Sequence, residues 1–237
     1  MRLIDLTKHE NQARLEFFGC PLRCAYCTHI RRERKDYTFE QVLEFLADPK
    51  VDEVYLGGAE PGVQKKEILE LLRRLKRMNK KVTLKTSGMY PELVRETVGL
   101  VNRYVIEVKC PLDDLACTSE LTGLSRERTQ KYLDALRSTL DILKGQKVRV
   151  WVRVIPGFAT LEGMEAIGRQ VSEVATEVTL HQFLSNPEND APFKGISKPG
   201  PSEAEMVAMA RLIVKHVTRV VVQGKGFMSE FVGKGES

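Results

Sequence analysis

The run Gly19-Cys20-Pro21-Leu22-Arg23-Cys24-Ala25-Tyr26-Cys27 puts three cysteines within eight residues, with no fourth thiol close by. A structural zinc site normally closes with four ligands. A four-iron cluster held by three Cys thiolates instead leaves one iron open to a ligand from outside the protein. The spacing C-x3-C-x2-C therefore reads as a cluster site with a vacant corner. Two blander readings of these residues are a zinc knuckle completed by His29 or another histidine, and a disulfide pair with one spare thiol. The cysteine count of five is odd, and the opening Met1 to Lys8 is charged too soon for a signal peptide. Both features point to a reducing compartment, the cytoplasm.

The 237 residues suit one α/β barrel or two small domains, and 42% hydrophobic content is ordinary for a soluble chain. We take the chain, 1–237, as one domain. No stretch approaches the roughly 18 apolar residues of a membrane-spanning helix. The net charge of +5 is modest. It allows anionic partners but is far from a nucleic-acid-binding tail. The basic runs Arg31 to Lys35 and Arg73 to Arg77 read as solvated loop and helix faces.

Working outward from the cysteines, strand-like and helix-like segments alternate. Strands are expected at Ala13 to Phe18, Glu53 to Leu56, Val82 to Lys85, Tyr104 to Val108, Val148 to Ile155, Val178 to Phe183 and Arg219 to Val222. Helices are expected at Phe39 to Ala47, Lys66 to Arg77, Glu92 to Val101, Gln130 to Leu143, Leu161 to Val174 and Glu203 to Val217. Thr38 to Gln41 and Ser202 to Glu205 fit capping boxes. Leu133, Leu136, Leu140 and Leu143 form one apolar stripe for core packing. Such alternation implies parallel strands with right-handed crossovers, hence a barrel or partial barrel, with a doubly wound open sheet as the alternative.

In barrels, functional groups occupy loops after the strands. The unusual segments fall there: the cysteine run, Gly57 to Gly62, Thr86-Ser87-Gly88, Lys109 to Asp114, Pro156-Gly157-Phe158, Asn186 to Asp190 and Gly224-Lys225-Gly226. Glycines at Gly57 and Gly58 let the backbone approach a ligand, and carbonyls there can accept from an ammonium. Glu107 and Lys109 share one strand face, so they suit polar recognition or a lumen salt bridge. Val148, Val150, Val152 and Val154 should face helices, which turns Arg149, Trp151 and Arg153 inward. Arg153, nearest the strand end, could pair with a carboxylate. His181 lies near the same rim, as a structural histidine or a ligand contact. Cys110 could face the cavity; otherwise Cys110 and Cys117 are expected to be reduced thiols.

Cys20, Cys24 and Cys27, with Tyr26 before the last, resemble the radical S-adenosylmethionine (SAM) signature. Gly57-Gly58-Ala59-Glu60-Pro61 is similar to that family's GGEP motif, with alanine inserted. The resemblance implies a partial (β/α)6 TIM-like barrel, an α/β fold of the radical SAM type. It also implies a [4Fe-4S] cluster on the three cysteines and SAM chelating the open iron, cleaved to methionine and a 5′-deoxyadenosyl radical. Together with the strand-end positions read above, this resemblance places Tyr26, Gly57, Gly58, Ala59, Glu60, Thr86, Ser87, Glu107, Lys109, Arg153 and His181 as the residues expected around SAM.

Beyond residue 12 the chain most resembles pyruvate formate-lyase activating enzymes and their anaerobic ribonucleotide reductase counterparts. The likeness runs through Glu107-Val108-Lys109, Leu121 to Ser125 and Val150 to Gly157, then Ser197-Lys198-Pro199-Gly200. This implies hydrogen abstraction from a glycine of a partner enzyme or a peptide, with flavodoxin or ferredoxin as electron donor. His9-Glu10-Asn11-Gln12 stands where the family has Asp-Gly-Pro-Gly, and there is no second cysteine-rich insert, so one cluster is expected. Lys85 stands where those enzymes carry a cation-binding aspartate, so its ammonium is expected to replace the cation and pair with Glu107. The alternatives are a radical SAM enzyme acting on a small molecule or nucleoside, like 7-carboxy-7-deazaguanine synthase, and a non-catalytic zinc or iron–sulfur interaction module.

Overall fold

Strand-forming and helix-forming segments alternate along a single ten-stranded sheet in the computed structural model, which describes residues 1–29, 32–184, 196 and 199–233. In chain order the strands are β1 (Arg2–His9), β2 (Gln12–Phe17), β3 (Lys35–Asp36), β4 (Glu53–Gly58), β5 (Lys81–Thr86), β6 (Arg103–Glu107), β7 (Val148–Val154), β8 (Glu177–Gln182), β9 (Arg219–Gly224) and β10 (Phe227–Val232). The helices are α1 (Phe39–Leu46), α2 (Lys65–Arg77), α3 (Pro91–Thr97), α4 (Leu115–Thr122), α5 (Arg126–Ile142), α6 (Leu161–Val171) and α7 (Glu203–Ile213).

The sheet order is β10-β9-β8-β7-β6-β5-β4-β2-β1-β3, and every pairing from β2 through β9 is parallel. From β2 to β9 the order advances in one direction and never reverses. Right-handed crossovers then put the connecting helices on one face. A doubly wound sheet needs a reversal, so that alternative is set aside. The sheet stays open at its β10 and β3 edges, and its other face is a polar trough: a partial barrel.

β7 shows the two faces most clearly. Val148, Val150, Val152 and Val154 are buried in the helix-side core, while Arg149, Trp151 and Arg153 alternate with them on the trough side. Burial of such apolar faces, at about 25 cal/mol per Å², supplies most of the drive to fold. The capping boxes at Thr38 and Ser202 form as expected, and the leucine stripe of α5 is buried. Arg73, Arg74, Lys76 and Arg77 sit on the exposed side of α2. Of the other basic run, Arg32 and Lys35 reach Asp5 and Arg34 reaches Asp36; Arg31 lies outside the described residues.

Several elements differ from expectation. β1, β3, β10 and α4 were not anticipated. Three of the eight residues of β1 are charged, and the segment becomes a strand through antiparallel pairing with β2 around the turn at Glu10. Gly224-Lys225-Gly226 belongs to the β9–β10 hairpin, Gly224 ending β9 and Lys225-Gly226 making the turn, and is not a ligand loop. The apolar residues of α4, Leu115, Ala116, Cys117 and Leu121, do not form one continuous stripe. It begins at the Asp114 cap and stops at Gly123 in the left-handed region (φ 68°). That helix turns the chain back and brings Cys117 to Cys110, Cα–Cα 6.2 Å, as a disulfide. The expectation of two reduced thiols is thereby corrected. Asn186 to Asp190, Ser197 and Lys198 lie outside the described residues.

Candidate active site

The C-terminal ends of the parallel strands surround a cavity of about 170 Å³. The cysteine loop that follows β2 is tied down on two sides. Arg23 N and Ala25 N donate to Thr122 O (2.8 Å) and Leu121 O (3.0 Å) at the end of α4. Ala59 N and Glu60 N, after β4, donate to Phe17 O (3.1 Å) and Gly19 O (3.0 Å). Gly58 can take φ 94° there. A Cβ would meet Phe17 N at 2.7 Å, so only glycine lets the two loops close up.

Cys20, Cys24 and Cys27 all line the cavity and all are free. Burial pushes the Cys20 thiol up to about 12 and that of Cys24 to about 11. Both are neutral until a metal displaces their protons. Among the described residues no three His, Cys, Asp or Glu side chains form a group fit for a metal ion. A cubane does not require three ligands on one metal, because each thiolate binds a different iron. The donor set therefore suits an iron–sulfur cluster better than a zinc knuckle. His29 also lines the cavity, with its Nε2 3.9 Å from Glu16 Oε2.

Beside the cysteines lies a buried charge network. Tyr26 Oη donates to Glu107 Oε1 (2.7 Å) and accepts from Lys109 Nζ (2.8 Å). Glu107 also takes Lys85 (3.0 Å) and Lys109 (3.3 Å). Lys85 Nζ lies 4.5 Å from the Trp151 ring centroid, and the Arg153 guanidinium lies 5.7 Å from that of Tyr26. Burial pushes the Glu107 carboxyl up, but Lys109, Lys85 and Arg153 outweigh it and hold it well below the carboxylate range. Burial lowers the Lys109 ammonium, yet Glu107 and Tyr26 hold it well above its usual value. Three cations face one carboxylate, so the cavity wall keeps excess positive charge for an anionic ligand group.

Thr86 and Ser87 reach the cavity through a clamp. Glu60 is fully buried, and its carboxylate accepts from Gly62 N (2.9 Å), Thr86 Oγ1 (2.8 Å), Ser87 N (2.8 Å) and Ser87 Oγ (2.6 Å). This side chain joins the loops after β4 and β5 rather than pointing at a ligand.

Of the residues expected around the site, Cys20, Cys24, Tyr26, Cys27, Gly58, Ala59, Thr86, Ser87, Glu107, Lys109 and Arg153 come together at the cavity. Gly57, Glu60 and His181 do not line it. Gly57 backs onto the Tyr55 ring. His181 packs edge-on against Trp151, ring centroids 4.4 Å apart, and burial lowers it to about 4. Leu22, Thr28, Phe183 and Leu184 line the cavity without having been anticipated. The last two sit just past β8, where the strand-exit rule could have found them.

The family model described as the radical SAM superfamily matches residues 17–158. The provisionally named glycyl-radical enzyme activating enzyme MJ1227 of Methanocaldococcus jannaschii is 25% identical over 213 residues, covering 87% of this chain and 86% of that protein. The 7-carboxy-7-deazaguanine synthase of Methanospirillum hungatei is 31% identical over 96 residues, 39% of each chain. A radical SAM methyltransferase from Sphaerobacter thermophilus superposes with a TM-score of 0.67 at 18% identity, covering 94% of this chain and 69% of that one. At that identity the superposition speaks for the fold alone.

Proposed function

Because this chain belongs to the radical SAM superfamily, whose enzymes use a [4Fe-4S] cluster and SAM, we propose that it cleaves SAM reductively and abstracts a hydrogen atom from a glycine of a partner glycyl-radical enzyme. The observation that carries this reading is the meeting of three free cysteines with Gly58, Ala59 and the Glu107 network around one cavity. When bound, the cluster supplies the electron that splits SAM into methionine and a 5′-deoxyadenosyl radical.

Cys20, Cys24 and Cys27 hold the cluster. The loop at Gly58 and Ala59 receives the SAM ammonium, and Arg153 and Lys109 offer charge to its carboxylate. Thr86 and Ser87, fixed by Glu60, form the neighbouring wall. Lys85, paired to Glu107, fills the place of a monovalent cation. The chain acts as one radical SAM core domain, 1–237, in the cytoplasm, with flavodoxin or ferredoxin as reductant. No helix among the described residues is long and apolar enough to cross a membrane.

The test is anaerobic cluster reconstitution, reduction and addition of SAM. Release of 5′-deoxyadenosine is expected, and its survival in Cys24→Ala would refute the ligand assignment. About one zinc per chain without acid-labile sulfide would favour the interaction module instead. Likeness to 7-carboxy-7-deazaguanine synthase over 96 residues supports a second reading, a small-molecule or nucleoside substrate. Incubation with a candidate glycyl-radical enzyme separates the two: a glycine-centred electron paramagnetic resonance signal supports the first, and its absence the second.

A further inference from the structure

The opposite end of the trough carries a second hollow, of about 330 Å³, lined by Arg103, Lys147, Arg149, Thr176, Glu177 and Arg219. These residues come from the starts of β6, β7, β8 and β9. Arg149 lies four residues before Arg153 on β7, or roughly 13 Å at strand rise, so this hollow is separate from the cysteine cavity.

Four cations meet here, against one carboxylate in the lining, Glu177, and a second, Glu230, that reaches Arg219 from β10, so positive charge stays in excess. Glu177 is shared between Arg149 (2.5 Å) and Arg219, and Arg219 is also held bidentately by Glu230 (2.8 and 2.9 Å). Arg103 and Lys147 have no carboxylate partner among the described residues. Tyr104 pairs with Val148 in the β6–β7 register, which sets Arg103 and Lys147 side by side one step earlier. Adjacent like charges on neighbouring strands oppose folding. An adjoining hollow shares both residues and adds Lys81 and Glu53. A concave site with one sign of charge in excess concentrates counter-ions, and guanidinium forks match oxyanion geometry.

We propose that this N-terminal mouth is a binding site for a multiply charged phosphoryl-type oxyanion, held by Arg103, Lys147 and Arg149. The cluster and SAM play no part in it.

The test is thermal melting of the full chain at constant ionic strength, titrated with inorganic pyrophosphate and, separately, UDP. Pyrophosphate should raise the midpoint saturably. R103Q/K147Q should weaken that effect at least tenfold, and R103K/K147R should retain it. Both substituted residues are exposed, and single R103Q gives the same direction should the double variant fold poorly. Equal affinity for the two probes identifies a free oxyanion as ligand; tenfold preference for UDP identifies the phosphoryl group of a nucleotide. No saturable shift, or the same shift in R103Q/K147Q, overturns the proposal. Release of 5′-deoxyadenosine by R103Q/K147Q should equal wild type, which keeps this result apart from the proposed function.

Discussion

Replacing Glu60 with alanine should destabilise the protein by about 2–6 kcal/mol while leaving the three thiols in place. The magnitude follows from the four donors on that carboxylate. The Thr86 and Ser87 hydroxyls can rotate toward other acceptors. The Gly62 and Ser87 amides cannot, and each would be left buried and unpaired at about 1–3 kcal/mol. Against an ordinary total of about 5–15 kcal/mol, this is a large loss. At about 2–4 °C per kcal/mol for a chain of this size, the midpoint should fall by roughly 10 °C. Glu60→Gln keeps one acceptor oxygen and should fall between the two. The assay is urea unfolding of the cluster-free protein, with SAM affinity measured on the reconstituted one. If E60A unfolds within about 0.5 kcal/mol of wild type yet loses SAM, Glu60 is a direct ligand and the clamp is wrong.

Gly58→Ala combines a left-handed φ with a Cβ 2.7 Å from the β2 backbone, and should cost about 2–6 kcal/mol. Gly99→Ala, also at positive φ but with nothing within 4 Å, should cost only about 1–2 kcal/mol; equal urea midpoints would contradict this. His181 falls from the usual 6.5 to about 4 on folding, so the unfolded chain binds the extra proton between those values. Its contribution, at most about 3 kcal/mol, is complete above pH 6.5 and is lost as pH falls toward 4. H181Q should flatten that part of the stability–pH curve, and an unchanged slope would count against it. Lys85→Met should make SAM cleavage depend on added sodium or potassium. Wild-type cleavage that already rises strongly with either ion would refute the replacement of a cation by Lys85.

Much of the site was legible because it is local. Three thiols within one loop, glycines after a strand, and alternation along β7 depend on neighbours in the chain and on strand period. Seven parallel strands followed from alternating segments for the same reason. The strands outside the parallel run were not legible: β1 and β10 take their conformation from antiparallel pairing with β2 and β9, which no local pattern announces. The fate of Glu60 was missed too, because its four donors belong partly to a loop 26 residues away.

By itself, then, the order of residues determined the spacing of Cys20, Cys24 and Cys27, the strand–helix rhythm and the inward face of β7, since short-range geometry dictates all three. Only the folded sheet decided that Cys110 meets Cys117, that Tyr26 joins Glu107 and Lys109, and that Arg103 stands beside Lys147. Those meetings depend on strand register and helix return, which bring distant residues together through packing and hydrogen bonding that no short window of sequence contains.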